Sequence, residues 1–331
     1  MTEVVTLGEC LIAFVATTPG PLAEAATFDR IVAGAEANVA VGLARLGHEV
    51  SFIGRVGADG FGDAIRRRLR GEGVRTVDLT TDDSATTGLL FRERRVLGPA
   101  HVVYARQASA GSRLSPADVD RAAAGGAFGG ARWLHLTGIT PALSADARSA
   151  VERAIEYARD ADATLSLDVN LRRRLWSDEA AAPVLRDLAR RVDILLGNAD
   201  ELAVITGHEP GHEPAALVRA ALDLGPGIVV AKLGGRGAVA SDRDDADTTV
   251  ARPAVSLPVV VDPVGAGDAF CAGFIAARLE GADLPTALEH GNACGAAVAA
   301  AVGDLTGLPD RAELQAILGA SREDGLPDTI R

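Results

Sequence analysis

The stretch DPVGAGDAF, residues 262–270, decides how this chain is read. A Gly-Ala-Gly turn is followed at once by an aspartate. The run after it, AFCAGFIAARLE, is apolar at helical spacing, with Ala269, Phe270, Gly273, Phe274 and Ala277 on one broad face. This periodicity predicts a helix over 268–280 whose mouth is Gly265 to Asp268. The first turn of a helix carries N–H groups without internal partners and a partial positive charge, and glycines there let an anion reach the bare backbone. A carboxylate beside an anion site repels a phosphate unless its task is to take a proton from whatever attacks that phosphate. Asp268 on its own is therefore either a helix cap or a general base.

Working outward, 331 residues are enough for one large α/β domain or two small ones, with a sizeable buried core. The residues are 48% hydrophobic but only 4% aromatic, and no apolar run approaches the roughly 18 residues of a membrane span. The opening MTEVVTLGEC has an acidic residue and no basic one before its apolar stretch, so no signal peptide and a cytoplasmic protein are expected. Cys10, Cys271 and Cys294 are widely spaced without a C-x-x-C pair, which predicts neither disulfides nor a zinc site but small buried hydrophobes. A net charge of −12 opposes nucleic acid and anionic membranes at long range, so neither is an expected partner and any phosphate must be bound locally. Lysine occurs only at position 232, and arginine supplies the rest of the 33 basic residues. A single lysine in such a chain suggests a position where arginine does not serve.

Short β-type runs at 4–7, 50–54, 132–136, 164–169, 193–197 and 227–232 alternate with helix-patterned segments at 36–46, 61–70, 145–160, 180–191, 213–223, 268–280 and 285–301. This alternation predicts a mostly parallel sheet with helices on both faces. Several strands end in polar residues: Asp168 with Asn170, then Asn198, then Lys232. Ligands of open parallel sheets bind beyond the carboxyl ends of the strands, so these side chains are expected to converge. CLIAFVA (10–16), TGLLFRE (87–93) and HVVYAR (101–106), the latter two joined by a loop with Gly98 and Pro99, read as strands without intervening helices. They predict a small separate sheet suited to be a lid that excludes water. AAAGGAFGGA (122–131) and DRDDAD (242–247) read as solvated connections. His135, central in an apolar strand, reads as a hydrogen-bonded core residue.

AGAEANVAVGLARLG (33–47) together with DPVGAGDAFCAGF (262–274) resembles the paired signatures of the ribokinase-like, or phosphofructokinase-B-type, carbohydrate kinases. Between them, GNADE (197–201) resembles the family's Asn-x-x-Glu motif and KLGGRGA (232–238) its nucleotide-side Lys-x-Gly-x-x-Gly segment. The resemblance implies a three-layer α/β/α fold with a mostly parallel central sheet and a small β-sheet lid. It implies a single domain over 1–331, with lid strands inserted at about 10–33 and 86–107. It also implies ATP and Mg2+ as cofactors and a homodimer formed through the lid strands, whose exposed edges a second subunit would cover. Monovalent-cation activation, known for some members, is left open by these residues.

Residue by residue, Asp268 matches the family's base on the sugar hydroxyl, and the N–H groups of Gly265, Ala266 and Gly267 match an anion hole for the transferred phosphoryl group. Glu201 matches a group that holds Mg2+ through water, with Asn198 beside it; without the motif the pair reads as a helix cap. Lys232, Gly234 and Gly237 fall on the nucleotide side, and Asn292 and Gly295, in EHGNACGAAVAAAVGDLTGLP (289–309), on the adenine side. Gly34 and Asn38 match residues that touch sugar hydroxyls, although Ala33 stands where a second glycine is usual.

Within the family the chain is most similar to 2-keto-3-deoxygluconate kinases, through HLTGITPALS (135–144), YARQASAGSRLS (104–115) and DVNLRRRLW (168–176). Tyr104, Arg106 and Arg172 then surround a sugar acid, whose carboxylate suits a planar guanidinium. Ala105 departs from a second tyrosine often found there, and Arg172 to Arg174 also read as a solvated helix start. A kinase for a neutral sugar such as fructose or ribose is the alternative. From another class, a sugar-binding regulatory protein on the same fold is a further alternative, since fold does not fix function. A dinucleotide dehydrogenase fits poorly, because VVTLGEC has a single glycine where G-x-G-x-x-G is needed, and the absence of a Walker-type loop sets the chain apart from P-loop kinases.

Overall fold

A computed structural model describes residues 2–95 and 101–322. Its strands are β1 (Val4–Leu7), β2 (Leu11–Pro19), β3 (Phe28–Ala33), β4 (Val50–Gly57), β5 (Leu79–Asp82), β6 (Leu89–Arg94), β7 (Val102–Ala105), β8 (Trp133–Thr137), β9 (Thr164–Asp168), β10 (Ile194–Asn198), β11 (Ile228–Lys232), β12 (Ala238–Asp242) and β13 (Asp245–Arg252). Among the described residues, nine form the central sheet in the order β13-β12-β11-β10-β9-β8-β1-β4-β5. It is parallel from β11 to β5, with β12 and β13 added antiparallel at one edge.

Alternation along the strands sends successive side chains to opposite faces. Val4, Leu196 and Val230 enter the core beneath helices Ala35–Arg45, Ala266–Leu279 and Leu284–Ala299. Val5, Leu195 and Val229 enter the one beneath helices Ala145–Asp160 and Asp178–Ala189. The result is the expected ribokinase-like three-layer arrangement. Parallel register also aligns the strand ends: Asn198 lies opposite Lys232, and Leu196 opposite Asp168.

The second sheet has the order β3-β2-β6-β7. One face carries Phe14, Phe28 and Phe91, with Phe14 and Phe91 stacked at 5.3 Å. Phe14 also meets Phe61, on helix Gly60–Gly71, at 5.8 Å, which anchors the lid to the body. Leu11, Ala13 and Ala33 are buried on the other face, where Leu90 packs against them. Gly98 and Pro99, read as a loop between two of these strands, lie outside the described residues.

Some expectations need correction. The helix after the Gly-Ala-Gly turn starts at Ala266 rather than 268, with Gly265 as its cap. The segment 122–131 is not a solvated connection: its first residues finish helix Pro116–Ala124, Ala127 and Phe128 are buried, and Phe128 stacks on Tyr157 at 5.5 Å. DRDDAD is, as read, a solvated connection: Arg243 and Asp244 are exposed in the tight turn of the β12–β13 hairpin, where Asp242 pairs with Asp245. β5 and helix Arg311–Arg322 were also not anticipated. His135 is fully buried and hydrogen-bonded through Nδ1 to Ser166 Oγ at 2.8 Å, with burial pushing its pKa down to about 4. All three cysteines are free and buried.

Candidate active site

At the carboxyl ends of β9, β10 and β11, beneath the lid, lies a cavity of about 560 Å³, within the usual range for a small-molecule site. Helix Ala266–Leu279 points its N-terminus into it. Gly265 caps that helix in the left-handed region, φ 82°, and a Cβ there would come within 3.0 Å of the Asp304 backbone, so only glycine makes this turn without strain. Among the described residues the N–H groups of Gly265, Gly267 and Asp268 have no partner, while that of Ala266 donates to Pro263 O over 3.3 Å. The expected anion hole therefore has two free donors of its three, and Asp268 adds its own N–H.

Asp268 is 8% exposed. Its Oδ2 accepts from Asn38 Nδ2 at 2.8 Å and its Oδ1 from Asn170 Nδ2 at 3.4 Å. Burial pushes its pKa up to about 7; Asn38, the Arg172 charge and Lys232 oppose that rise, and Asp168 adds to it. Such a value suits a proton acceptor working near neutrality. Asn170 is one of the non-glycine residues with positive φ, at 39°, and its amide also reaches Asp168 Oδ2 at 3.3 Å. Backbone strain held in place by a polar network is a mark of functional sites.

Lys232 is not free: its Nζ donates to Asp168 Oδ2 at 2.6 Å. Burial works against its charge, but Asp168 outweighs burial and holds the amine above its ordinary range. The same amine would lie 3.4 Å from a Cβ on Gly267, which places it against the helix mouth. Gly234 and Gly237 flank a tight turn after β11, and a Cβ on Gly237 (φ 89°) would drive into Arg252 O. Asn292 donates its amide to the carbonyls of Arg252 and Pro253, at 3.1 and 2.9 Å, and so pins the chain after β13 to helix Leu284–Ala299. Gly295, on that helix, faces the Ala266 carbonyl.

Asn198 and Glu201 form the capping box of helix Ala199–Thr206: Asn198 Oδ1 accepts from Glu201 N at 2.9 Å, and Glu201 Oε2 accepts from Asn198 N at 2.8 Å. Glu201 Oε1 also accepts from Leu171 N at 3.0 Å. Burial, then the nearby Asp168 charge, pushes the Glu201 carboxyl up, so a cation here would be welcomed by two carboxylates. Among the described residues no three His, Cys, Asp or Glu side chains cluster as a dedicated metal site.

Gly34 caps helix Ala35–Arg45, which presents Asn38. From the lid, Tyr104 and Arg106 reach the cavity, with the guanidinium 5.4 Å from the tyrosine ring. Arg172 is exposed at the cavity wall, while Arg173 turns away to Asp178 at 2.8 Å. All the site residues carried over from the resemblance thus line one cavity, whereas Asp168 lies behind the wall, held by Lys232. Sequence reasoning missed Glu9, fully buried, whose carboxylate pairs with Arg106 and accepts from Ser109. It also gave no role to Asp168 and Asn170, although both were visible as polar residues ending a strand.

Residues 1–311 match the model of the pfkB family carbohydrate kinases. A 2-dehydro-3-deoxygluconokinase of Bacillus subtilis (strain 168) is 36% identical over 322 residues, covering 97% of this chain and 96% of its own length. One of Thermoproteus tenax is 38% identical over 324 residues, covering 97% and 95%. An E. coli protein solved in complex with ATP and Mg2+ is similar in structure, with a TM-score of 0.85 at 25% identity over 96% of this chain and 99% of that one. No helix among the described residues is long and apolar enough to cross a membrane. Motifs, fold and full-length similarity agree: this chain belongs to the pfkB family and is a carbohydrate kinase.

Proposed function

We propose that this kinase transfers the γ-phosphoryl group of ATP to the primary hydroxyl of 2-keto-3-deoxygluconate. The observation that carries the reading is the buried Asp268, held by Asn38 and Asn170 at a helix mouth where the N–H groups of Gly265, Gly267 and Asp268 are free, in one cavity with Arg106 and Arg172; burial pushes its pKa up to about 7. Asp268 takes the hydroxyl proton as the sugar oxygen bonds to the γ-phosphorus. The bond to the bridging oxygen breaks, and ADP carries away the electron pair. The N–H groups of Gly265, Gly267 and Asp268 meet the charge on the moving phosphoryl oxygens. Asn38 and Asn170 hold the carboxylate in place. Arg106, Arg172 and Tyr104 orient the sugar acid, and Gly34 lets the helix bearing Asn38 begin there. Lys232, Gly234, Gly237, Asn198, Asn292 and Gly295 form the nucleotide side. Mg2+, when bound with ATP, offsets phosphate charge, and Glu201 would hold it through water.

Two relatives named for this activity support the choice of sugar. The neutral-sugar reading draws on one observation: Glu9 already partners Arg106, which leaves less charge for a substrate carboxylate. An ADP-release assay across 2-keto-3-deoxygluconate, 2-keto-3-deoxygalactonate, 5-keto-2-deoxygluconate, fructose and ribose decides. The first should have the highest kcat/KM; fructose or ribose in that place would overturn the acid reading, and no turnover with any would favour a binding protein.

The chain is further read as one domain acting in the cytoplasm as a homodimer paired through the lid. The end strands β3 and β7, with Val103 43% exposed, support that pairing. Light scattering at micromolar concentration should give twice the chain mass.

A further inference from the structure

Arg92 lies on β6, two residues beyond Leu90 and so on the same face of the strand. Leu90, opposite Tyr104 across the β6–β7 ladder, lines the cavity. Arg92 therefore leaves the lid on its active-site side. Its guanidinium grips both carboxylate oxygens of Asp262, Nη1 to Oδ1 at 3.1 Å and Nη2 to Oδ2 at 2.5 Å, with only 10% and 14% of the two side chains exposed. Asp262 opens the segment that becomes the Gly-Ala-Gly turn. Its Oδ1 also accepts from Val264 N at 3.2 Å, and its backbone N–H and that of Val261 donate to Ala299 O, at 3.2 and 2.8 Å. Behind the turn, Gly265 is wedged on the Asp304 backbone, and the Arg92 charge opposes the burial that pushes the Asp304 carboxyl up.

A largely buried ion pair is a poor source of stability, because desolvation consumes most of the attraction. What a two-point guanidinium–carboxylate pair supplies is geometry. This one joins residues 170 positions apart, one in the lid and one at the root of the turn.

We infer that Arg92 is a positioning residue for phosphoryl transfer: its pair with Asp262 ties the lid to the Gly265–Gly267 turn, so that the seated lid sets where the anion hole stands. This rests on the proposed reading of that turn as the anion hole. Displacement of a reacting group by about 1 Å costs on the order of 100-fold in rate, so the effect falls on kcat rather than on sugar binding.

The test measures kcat, both KM values and thermal melting for Arg92→Gln, Arg92→Lys, Asp262→Asn and the double variant Arg92→Gln/Asp262→Asn. The expected result for Arg92→Gln and Asp262→Asn is a kcat loss of roughly 10- to 100-fold with sugar KM close to that of the unsubstituted chain. The double variant should be no worse than either single one, because both break the same contact. Arg92→Lys, with one charge but no fork, should fall between. Unchanged kcat in Arg92→Gln, a change in KM alone, or losses that multiply in the double variant would overturn the inference. If Arg92→Gln fails to fold, the exchanged pair Arg92→Asp/Asp262→Arg decides. A kcat above that of Asp262→Arg alone supports the tie, and a kcat no better overturns it. Asp268→Asn measured alongside separates the two claims: full activity there would break the reading of the site, whereas inactive Asp268→Asn beside a fully active Arg92→Gln would break the Arg92 inference alone.

Discussion

At the end of the cavity proposed for the sugar, the ligand-facing groups are side chains held by other side chains: Asn38 on Asp268, Asn170 between two aspartates, Arg106 against Glu9. At the end proposed for ATP, much of the surface is bare backbone at Gly234, Gly237, Gly265 and Gly267, and the side chains present are tied into pairs and caps. The difference lies in how each end responds to mutation. A side-chain site changes its ligand when one functional group is exchanged. A backbone site changes only when the chain itself moves.

The junction of the two ends should give the largest effect. Asp268→Asn keeps the size and shape, turns one of the two accepting oxygens into a donor and removes the proposed base, and should cost about 10²- to 10⁴-fold in kcat with nucleotide affinity retained by calorimetry. Turnover near that of the unsubstituted chain would end the assignment. At the backbone end, Gly237→Ala forces a Cβ onto Arg252 O in a left-handed conformation. We expect a loss of roughly 1–3 kcal/mol in folding stability and a raised KM for ATP, with sugar preference intact. A shift in sugar preference would blur the contrast between the two ends. At the side-chain end, Arg106→Gln should lower kcat/KM for the sugar acid by roughly 10- to 100-fold, the worth of a charged hydrogen bond, and leave a neutral sugar almost untouched. Equal losses for both would show that Arg106 serves the lid rather than the carboxylate.

Within a pH unit of neutrality the expected effect is the smallest, and it concerns protons. Asp268 must be ionised to act, and its pKa is pushed up to about 7. kcat/KM should therefore fall as pH drops through 7, by about tenfold per unit once well below it. A flat profile from pH 5 to 8 would mean that Asp268 is not the group that titrates.

Much of this was legible in the sequence because it is local. The Gly-Ala-Gly-Asp turn and the Asn-x-x-Glu cap are each written within a few positions, the polar residues ending β9, β10 and β11 each close an apolar run, and the parallel register then aligns those strand ends. What was not legible depends on distant segments meeting. Glu9 finds Arg106, Arg92 finds Asp262 and Lys232 finds Asp168 only after the sheets are in register. In a chain with 33 basic residues, no single arginine announces its partner. β12 and β13 were hidden for a different reason: AVASD and DADTTVAR mix small and polar residues at an edge, where one face need not be apolar.

The hydrogen bond from Asn38 to Asp268 spans 230 residues. β1, first made, lies inside the central sheet between β8 and β4, and helix Ala266–Leu279 packs over the same face as helix Ala35–Arg45. A chain emerging from the ribosome therefore presents Gly34 and Asn38, proposed for the sugar, more than 200 residues before Gly265 to Asp268, proposed as anion hole and base. On the proposed reading, a nascent chain that has not yet reached helix Ala266–Leu279 lacks base and anion hole together, so the order of translation would keep it from spending ATP.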